Sequence, residues 1–373
     1  VFVAWRDLRF ARGRFFLIGT VVALITLLVG FLSGLTGGLA SQNISAVLQL
    51  PGERVVLQNP GDGAPDYATS SISNEAGEAW IAADGIETVL PLGIAQARAE
   101  NTSGSATAAE GTVGVALFGM AEASEKDGTT GSVFDLTPAK TGEVGLSQGA
   151  ADELGAQVGD TLTIIGSEFT VAKIGPEAWY SHTPVVAMDH GDWAMSNAKL
   201  GGTGAPTALL VSGADGSAPD WDGIAADTGT TVKTPIMSLA ALSTFKSEIG
   251  SLGLMIAMLF GISALVVGAF FSVWTMQRAG DVAVLKALGA SNSSLIKDAL
   301  GQALVVLIAG IGIGILAVTG LGLLAGQALP FLLSPLTTVL PALIMAVLGL
   351  AGAAFALRTV TKADPLVALG SHR

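Results

Sequence analysis

The chain has 373 residues, half of them hydrophobic and only 13% charged, with a formal net charge of −12 and no cysteine. Lack of cysteine excludes disulfide staples, thiolate metal sites, redox pairs and covalent haem attachment, so any folded domain must be held by its own core. A charge-free run of 59 residues, Ala299 to Leu357, far exceeds the roughly 20 apolar residues of one bilayer-crossing helix and places the chain in a membrane.

In residues 1–14, Phe2, Trp5, Leu8 and Arg9 alternate with Arg6, Asp7 and Arg12 at roughly helical spacing. This predicts an amphipathic helix on the inner membrane surface, with Trp5 at the headgroups. Residues 15–40 are uncharged and form the first expected span. Gly38-Leu39-Ala40 loosely resembles a signal-peptide cleavage site, but the apolar stretch is longer than the ~7–15 residues of a signal core, so a retained anchor is expected.

Residues 41–248 carry 26 acidic and 8 basic residues and are expected to form an α+β domain. Strands are predicted at Glu53–Gln58, Thr88–Ala97, Val113–Phe118, Glu143–Leu146, Pro184–Met188 and Ala208–Val211 from their β-branched residues and flanking turns. A hairpin of Thr161–Ile165 and Glu168–Ile174 is expected to turn at Gly166-Ser167. Helices are predicted at Ser73–Ala83, capped by Ser73, and at Ser147–Leu154, with loops at Asn101–Gly111 and Gly201–Pro206.

A second span is expected at residues 249–276, followed by a cytoplasmic elbow at 277–297. In the elbow, Val282, Leu285 and Leu288 recur every three residues and Gly289 supplies a helix stop. Ser291 or Asn292 can cap the next helix. The third and fourth spans, residues 298–327 and 339–358, fold back through a short loop, 328–338, within the Pro330, Pro335, Pro341 cluster; residues 359–373 are a tail. Ten basic residues flank the spans on one side (Arg6, Arg9, Arg12, Arg14, Arg278, Lys286, Lys297, Arg358, Lys362 and Arg373) against Asp7, Asp281, Asp298 and Asp364. By the positive-inside rule both termini are cytoplasmic and the acidic domain is extracytoplasmic.

Catalytic spacing is missing. His182, His190 and His372 fall in predicted loops or at the terminus, and His190 lacks the three or four convergent ligands of a zinc site. Nor does any Gly-rich loop end in Gly-Lys-Ser/Thr. If the chain does work, the energy must therefore come from another subunit, and neither an intrinsic cofactor nor a nucleic-acid partner is expected.

The stretch Arg278-Ala279-Gly280-Asp281-Val282-Ala283-Val284-Leu285-Lys286-Ala287-Leu288-Gly289-Ala290-Ser291 resembles the cytoplasmic loop of FtsX-like and MacB-like ABC transporter permeases, with Asp281 where glutamate is usual. Gln148–Leu162, with Ala150, Leu154, Gly155, Val158, Gly159 and Asp160, is similar to the family's outer-domain motif. Ala363-Asp364-Pro365-Leu366-Val367-Ala368-Leu369 is similar to its tail, and Trp5–Arg14 to its basic N-terminal helix. The resemblance implies a type VII ABC permease architecture: four transmembrane helices with a large α+β extracytoplasmic domain between the first two. It also implies a multi-pass homodimer in the cell membrane, without a catalytic site of its own. A cytoplasmic ABC ATPase would engage Asp281, Val282, Leu285, Lys286, Leu288 and Gly289, passing ATP-driven closure to the spans by mechanotransmission.

Size, four spans and the missing cysteine resemble most the haem-exporting permeases of Gram-positive bacteria, which implies haem drawn from the outer leaflet for detoxification. Gly30, Gly34, Gly37 and Gly38 would leave a low-bulk flank as a slot. Met255 and Met258 share one face of the second span, and a thioether can ligate haem iron, Met255 being the candidate. Gly30-Phe31-Leu32-Ser33-Gly34 is equally a helix-packing motif, and methionine in a span is commonly filler. Two alternatives stay open: an FtsX-like complex controlling a cell-wall hydrolase, and export of another amphipathic substrate such as a peptide or lipoprotein.

Overall fold

The computed structural model describes residues 12–103, 112–121, 133–138, 140–277, 280, 289 and 291–361. Residues 1–11 of the expected amphipathic helix, residues 104–111 of the expected loop, the Asp281–Leu288 segment and the tail from residue 362, including His372, lie outside the described residues.

In chain order the elements are α1 (Arg12–Leu48), β1 (Arg54–Gln58), α2 (Asn74–Ala82), β2 (Ile86–Asn101), β3 (Val113–Met120), β4 (Glu143–Ser147) and α3 (Gln148–Leu154). There follow β5 (Thr161–Ile164), β6 (Ser167–Gly175), β7 (Trp179–Tyr180), β8 (Thr183–Asp189), α4 (His190–Lys199), β9 (Ala208–Gly213), α5 (Trp221–Asp227) and β10 (Thr230–Lys233). The chain closes with α6 (Pro235–Ser238), α7 (Ser243–Gln277), α8 (Asn292–Ala325) and α9 (Pro335–Thr361). Two compact units result: residues 1–39 with 250–373, and residues 40–249.

The first unit is a membrane bundle. Phe16–Leu48, Ser243–Trp274, Ile296–Ala325 and Pro335–Phe355 are each long and apolar enough to cross a bilayer. Lipid removes the hydrophobic drive for helices to associate, so close approach through small residues takes over. A Cβ at Gly310 of α8 would lie 2.8 Å from Val22 and 2.9 Å from the Gly19 carbonyl, and one at Gly314 would lie 2.9 Å from the Ala23 carbonyl, so α8 rests directly on α1. At Gly352 of α9 a Cβ would lie 3.0 Å from the Ala264 carbonyl and 3.2 Å from the Gly268 amide, so α9 and α7 touch backbone to backbone. Around these contacts Val22, Phe271, Trp274, Leu307 and Met345 form the buried centre.

The second unit is an α+β domain whose sheet runs β10-β1-β9-β2-β3-β8-β4-β6-β5. β2 is long enough to do two jobs. Its first half pairs with β9, while Ala99–Asn101 pair with β5, which closes β2, β3, β8, β4, β6 and β5 into a ring with no free edge to template aggregation. The unbroken apolar runs of β3 and β8 follow from burial on both faces: Ala116, Phe118, Val185 and Ala187 enter one core, Val115, Leu117, Val186 and Met188 another. Ser73 caps α2 by accepting the Ala76 amide at 3.2 Å, and buried Trp80 anchors that helix with its indole N–H donated to Thr230 Oγ1 at 3.2 Å.

Two local expectations need correction. The β5–β6 turn is Ile165-Gly166, both at positive φ (51° and 71°) with Ile164 opposite Ser167, because a two-residue turn of this hand needs two left-handed residues. His190 is not in a loop: it opens α4, whose cap is Asp189, the carboxylate accepting the Gly191 amide at 2.8 Å.

Candidate functional site

Three places bear on function: the glycine flank of α1, the methionine face of α7, and the join of three segments within the inter-span domain. The structure brings Gly30, Gly34, Gly37 and Gly38 together on one flank, but the flank is filled from within the chain. A Cβ at Gly30 would meet Val318 at 2.7 Å and one at Gly37 would meet Thr337 at 2.6 Å. At Gly34 it would overlap the Phe331 ring, and at Gly38 the Pro330 carbonyl oxygen. The Leu332 amide donates to the Gly34 carbonyl at 3.0 Å, and Phe331 packs against Phe31 with ring centroids 5.0 Å apart. The open slot expected from the glycine pattern is thus occupied by the 330–337 segment; the glycines are contact points between α1, α8 and the start of α9. Beneath Gly30, the fully enclosed Thr26 hydroxyl, unpartnered among the described residues, lines a cavity of about 10 Å³ with Pro341 and Met345.

Met255 and Met258 sit elsewhere, on an exposed face of α7 at 48% and 59% exposure. They are not among the three nearest neighbours of a Cβ at any of the four glycines. Only 17% of the apolar core of this span is buried, against 28–33% for the other three, so α7 is the span whose surface the bundle covers least.

Of the expected coupling residues, Asp281, Val282, Leu285, Lys286 and Leu288 lie outside the described residues. Gly289 has φ 94°, the left-handed conformation that ends helices. Ser291 then caps α8, its hydroxyl accepting the Ser294 amide at 3.2 Å, and the helix continues unbroken into the third span.

In the inter-span domain the segment Gln148–Leu162 proves to be a helix stop. Ala150 and Leu154 are buried, Gly155 caps α3 in the left-handed conformation, and Asp160 accepts the Gln157 amide at 2.9 Å to aim the chain into β5. A feature not read from the sequence lies at the β7–β8 turn. His182 Nε2 is 2.9 Å from Glu248 Oε2, buried Asn43 donates to the same carboxylate oxygen at 3.1 Å, and Thr244 donates to Asn43 Oδ1 at 3.2 Å. The Ser181 and His182 amides donate to the Asn43 and Gln42 carbonyls at 3.0 Å. The end of α1, the β7–β8 turn and the start of α7 are therefore clasped together, with 139 and 66 residues of sequence separating the partners, a distance no local pattern bridges. Among the described residues no group of three or more His, Asp or Glu side chains could hold a metal ion.

The family model of the MacB-like periplasmic core domain matches residues 16–221, more than half of the chain, and that of the FtsX-like permease C-terminal region matches residues 253–365. The chain belongs to the MacB-like, FtsX-like permease family. Similar proteins include the putative hemin transport system permease protein HrtB of Staphylococcus haemolyticus, 26% identical over 370 residues and covering 99% of both chains. The protein of the same description from Staphylococcus epidermidis is 24% identical over 384 aligned positions, again covering 99% of both. The crystallised periplasmic region of MacB from Actinobacillus actinomycetemcomitans aligns with 52% of this chain and 94% of its own, at 10% identity and a TM-score of 0.36. As a MacB-like, FtsX-like permease, the chain is a multi-pass membrane subunit with an α+β domain of periplasmic type between its first two spans. Membership of this ABC permease family implies an ATPase partner.

Proposed function

We propose that this permease is the membrane subunit of an ATP-driven haem exporter, which draws haem from the outer leaflet and is worked by mechanotransmission from a cytoplasmic ABC ATPase. The observation that carries the reading is the exposed Met255–Met258 face on the least covered span, in a chain similar end to end to proteins described as putative hemin permeases. Haem is a flat apolar ring with two carboxylates, and a lipid-level thioether beside a membrane helix suits its iron. A homodimer formed across α7 would place this face at the seam between copies. Because the glycine flank is filled by Phe331, the haem surface in this reading centres on α7, and entry to the glycines requires the 330–337 segment to leave. ATP, bound by the partner subunit, supplies the energy.

Titrating hemin into the permease in lipid nanodiscs should give a saturable Soret band. Met255→Ala should shift that band while the dimer persists, with Met258→Ala as the control. A spectrum unchanged in the double variant would remove the methionines from the site.

The orientation follows from the charge asymmetry: inter-span domain outside, termini inside. In the cysteine-free chain, Ala218→Cys and Ser293→Cys, both at exposed positions, should label from opposite sides of intact cells with an impermeant maleimide. Labelling of both from outside contradicts the orientation.

A further inference from the structure

Within the inter-span domain a cleft of about 400 Å³ opens between the Asp66–Ala68 turn, β2 at Gln96, the Tyr180–Ser181 turn and the first residues of α7. That volume falls within the ~300–1,000 Å³ of small-molecule sites. Its wall is aromatic: Tyr67 and Tyr180, 2% and 5% exposed, meet edge to face at 6.4 Å, and Phe118 supports Tyr180 at 5.7 Å. The Tyr67 hydroxyl is satisfied by Ser238 Oγ at 2.8 Å. Tyr180 has no such bond: its phenol forms no hydrogen bond among the described residues, although the side chain is almost wholly buried. Burial, then Tyr67, then the negative charge of Asp66 push Tyr180 ionisation upward, so the phenol keeps its proton and can donate it in a hydrogen bond.

Among the described residues Asp66 is the single charged residue of the lining. One carboxylate oxygen accepts the Ala68 amide at 2.8 Å, which fixes the group and leaves the other oxygen available. The opposite wall is held by the Ser181–Thr244 hydroxyl pair at 3.2 Å, part of the clasp described above. A preformed cleft with an aromatic wall, a free phenol donor, one carboxylate and, among the described residues, no base discriminates by charge.

We propose that this cleft binds a ring-bearing organic cation, its positive charge on Asp66, its ring against the tyrosines and an acceptor atom on the Tyr180 hydroxyl. The site is separate from the haem surface and does not rest on the haem reading. Haem brings two carboxylates, which Asp66 would repel in a domain with 26 acidic and 8 basic residues between positions 41 and 248.

The test uses full-length permease in lipid nanodiscs with ethidium as the cationic probe and fluorescein as the anionic one, each read by fluorescence anisotropy. Ethidium should bind saturably above the level of empty nanodiscs, and fluorescein should not. Asp66→Asn keeps the oxygen that accepts the Ala68 amide but removes the charge, and should weaken ethidium binding at least about fivefold, the penalty of an unscreened charge pair in a partly desolvated cleft. Ala68→Trp, which fills the mouth from an exposed position, should abolish binding without touching the core. Equal affinity in wild type and Asp66→Asn, full binding in Ala68→Trp, displacement of ethidium by equimolar hemin, or no saturable binding at all would each overturn the proposal.

Discussion

Gly38→Val should eliminate the folded permease from the membrane. Overpacking a core costs about 1–3 kcal/mol when side chains can yield, but a Cβ at Gly38 would overlap the Pro330 carbonyl oxygen and lie 2.8 Å from the Phe331 amide nitrogen. Both are backbone atoms, and the ring of Pro330 restricts how far that backbone can rotate. Relief therefore requires the whole 330–337 segment to lift off α1, taking with it the Leu332 amide bond to the Gly34 carbonyl and the Phe31–Phe331 contact. Gly34 provides the contrast, since its obstacle is a side chain: Gly34→Ala should lower the yield, and adding Phe331→Ala should restore it. Monodisperse protein recovered from detergent-extracted membranes measures all three. Wild-type recovery of Gly38→Val would mean that Pro330 is not seated on α1.

Leu285→Asp should leave the permease in the membrane yet uncouple its ATPase. Val282, Leu285 and Leu288 recur every three residues in the sequence and are proposed as the apolar docking residues, and an unpaired carboxylate buried against the partner at such a position would cost several kcal/mol. Stimulation of the ATPase by the permease should then fall at least about tenfold, since 1.4 kcal/mol already corresponds to that ratio. Lys286→Gln, on the polar side of the same spacing, should change it little. Undiminished stimulation and co-purification in Leu285→Asp would move the coupling site off this segment.

What could be read in the sequence was whatever depends on composition over a long window or on a local cap. The four spans follow from hydropathy alone. Ser73, Ser147 and Ser291 begin their helices because each hydroxyl takes an otherwise orphaned amide, a signal confined to four residues. β3, β8 and β9 are legible as short apolar runs because both faces are buried. Of the elements that the sequence reading missed, α4 and β10 were missed for equally local reasons. α4, His190–Lys199, contains Gly191, Asp192, Ser196 and Asn197, residues of weak helix propensity, and holds because Trp193 lies flat on Gly93 and Gly119, which face each other across β2 and β3. β10, Thr230–Lys233, has a single large apolar residue, Val232, and becomes a strand by pairing with β1.

The site was less legible because it is built from distant partners. A glycine flank on α1 reads the same whether lipid, haem or another part of the chain covers it; that Phe331 covers it depends on a residue about 300 positions away. The same holds for the Asn43, His182 and Glu248 clasp. Only the spacing of Met255 and Met258 could be read directly, since one helical turn fixes it.

The proposed function is that ATP hydrolysis by the partner drives haem outward through this permease. Its most direct test is transfer of hemin from proteoliposomes, carrying permease and ATPase with the inter-span domain facing out, to apomyoglobin in the outer solution, followed by the Soret absorbance of the acceptor. ATP should accelerate transfer in the wild type, leave Leu285→Asp at the ATP-free rate and depress transfer in Met255→Ala. Transfer at the same rate with and without ATP in the wild type would contradict that function.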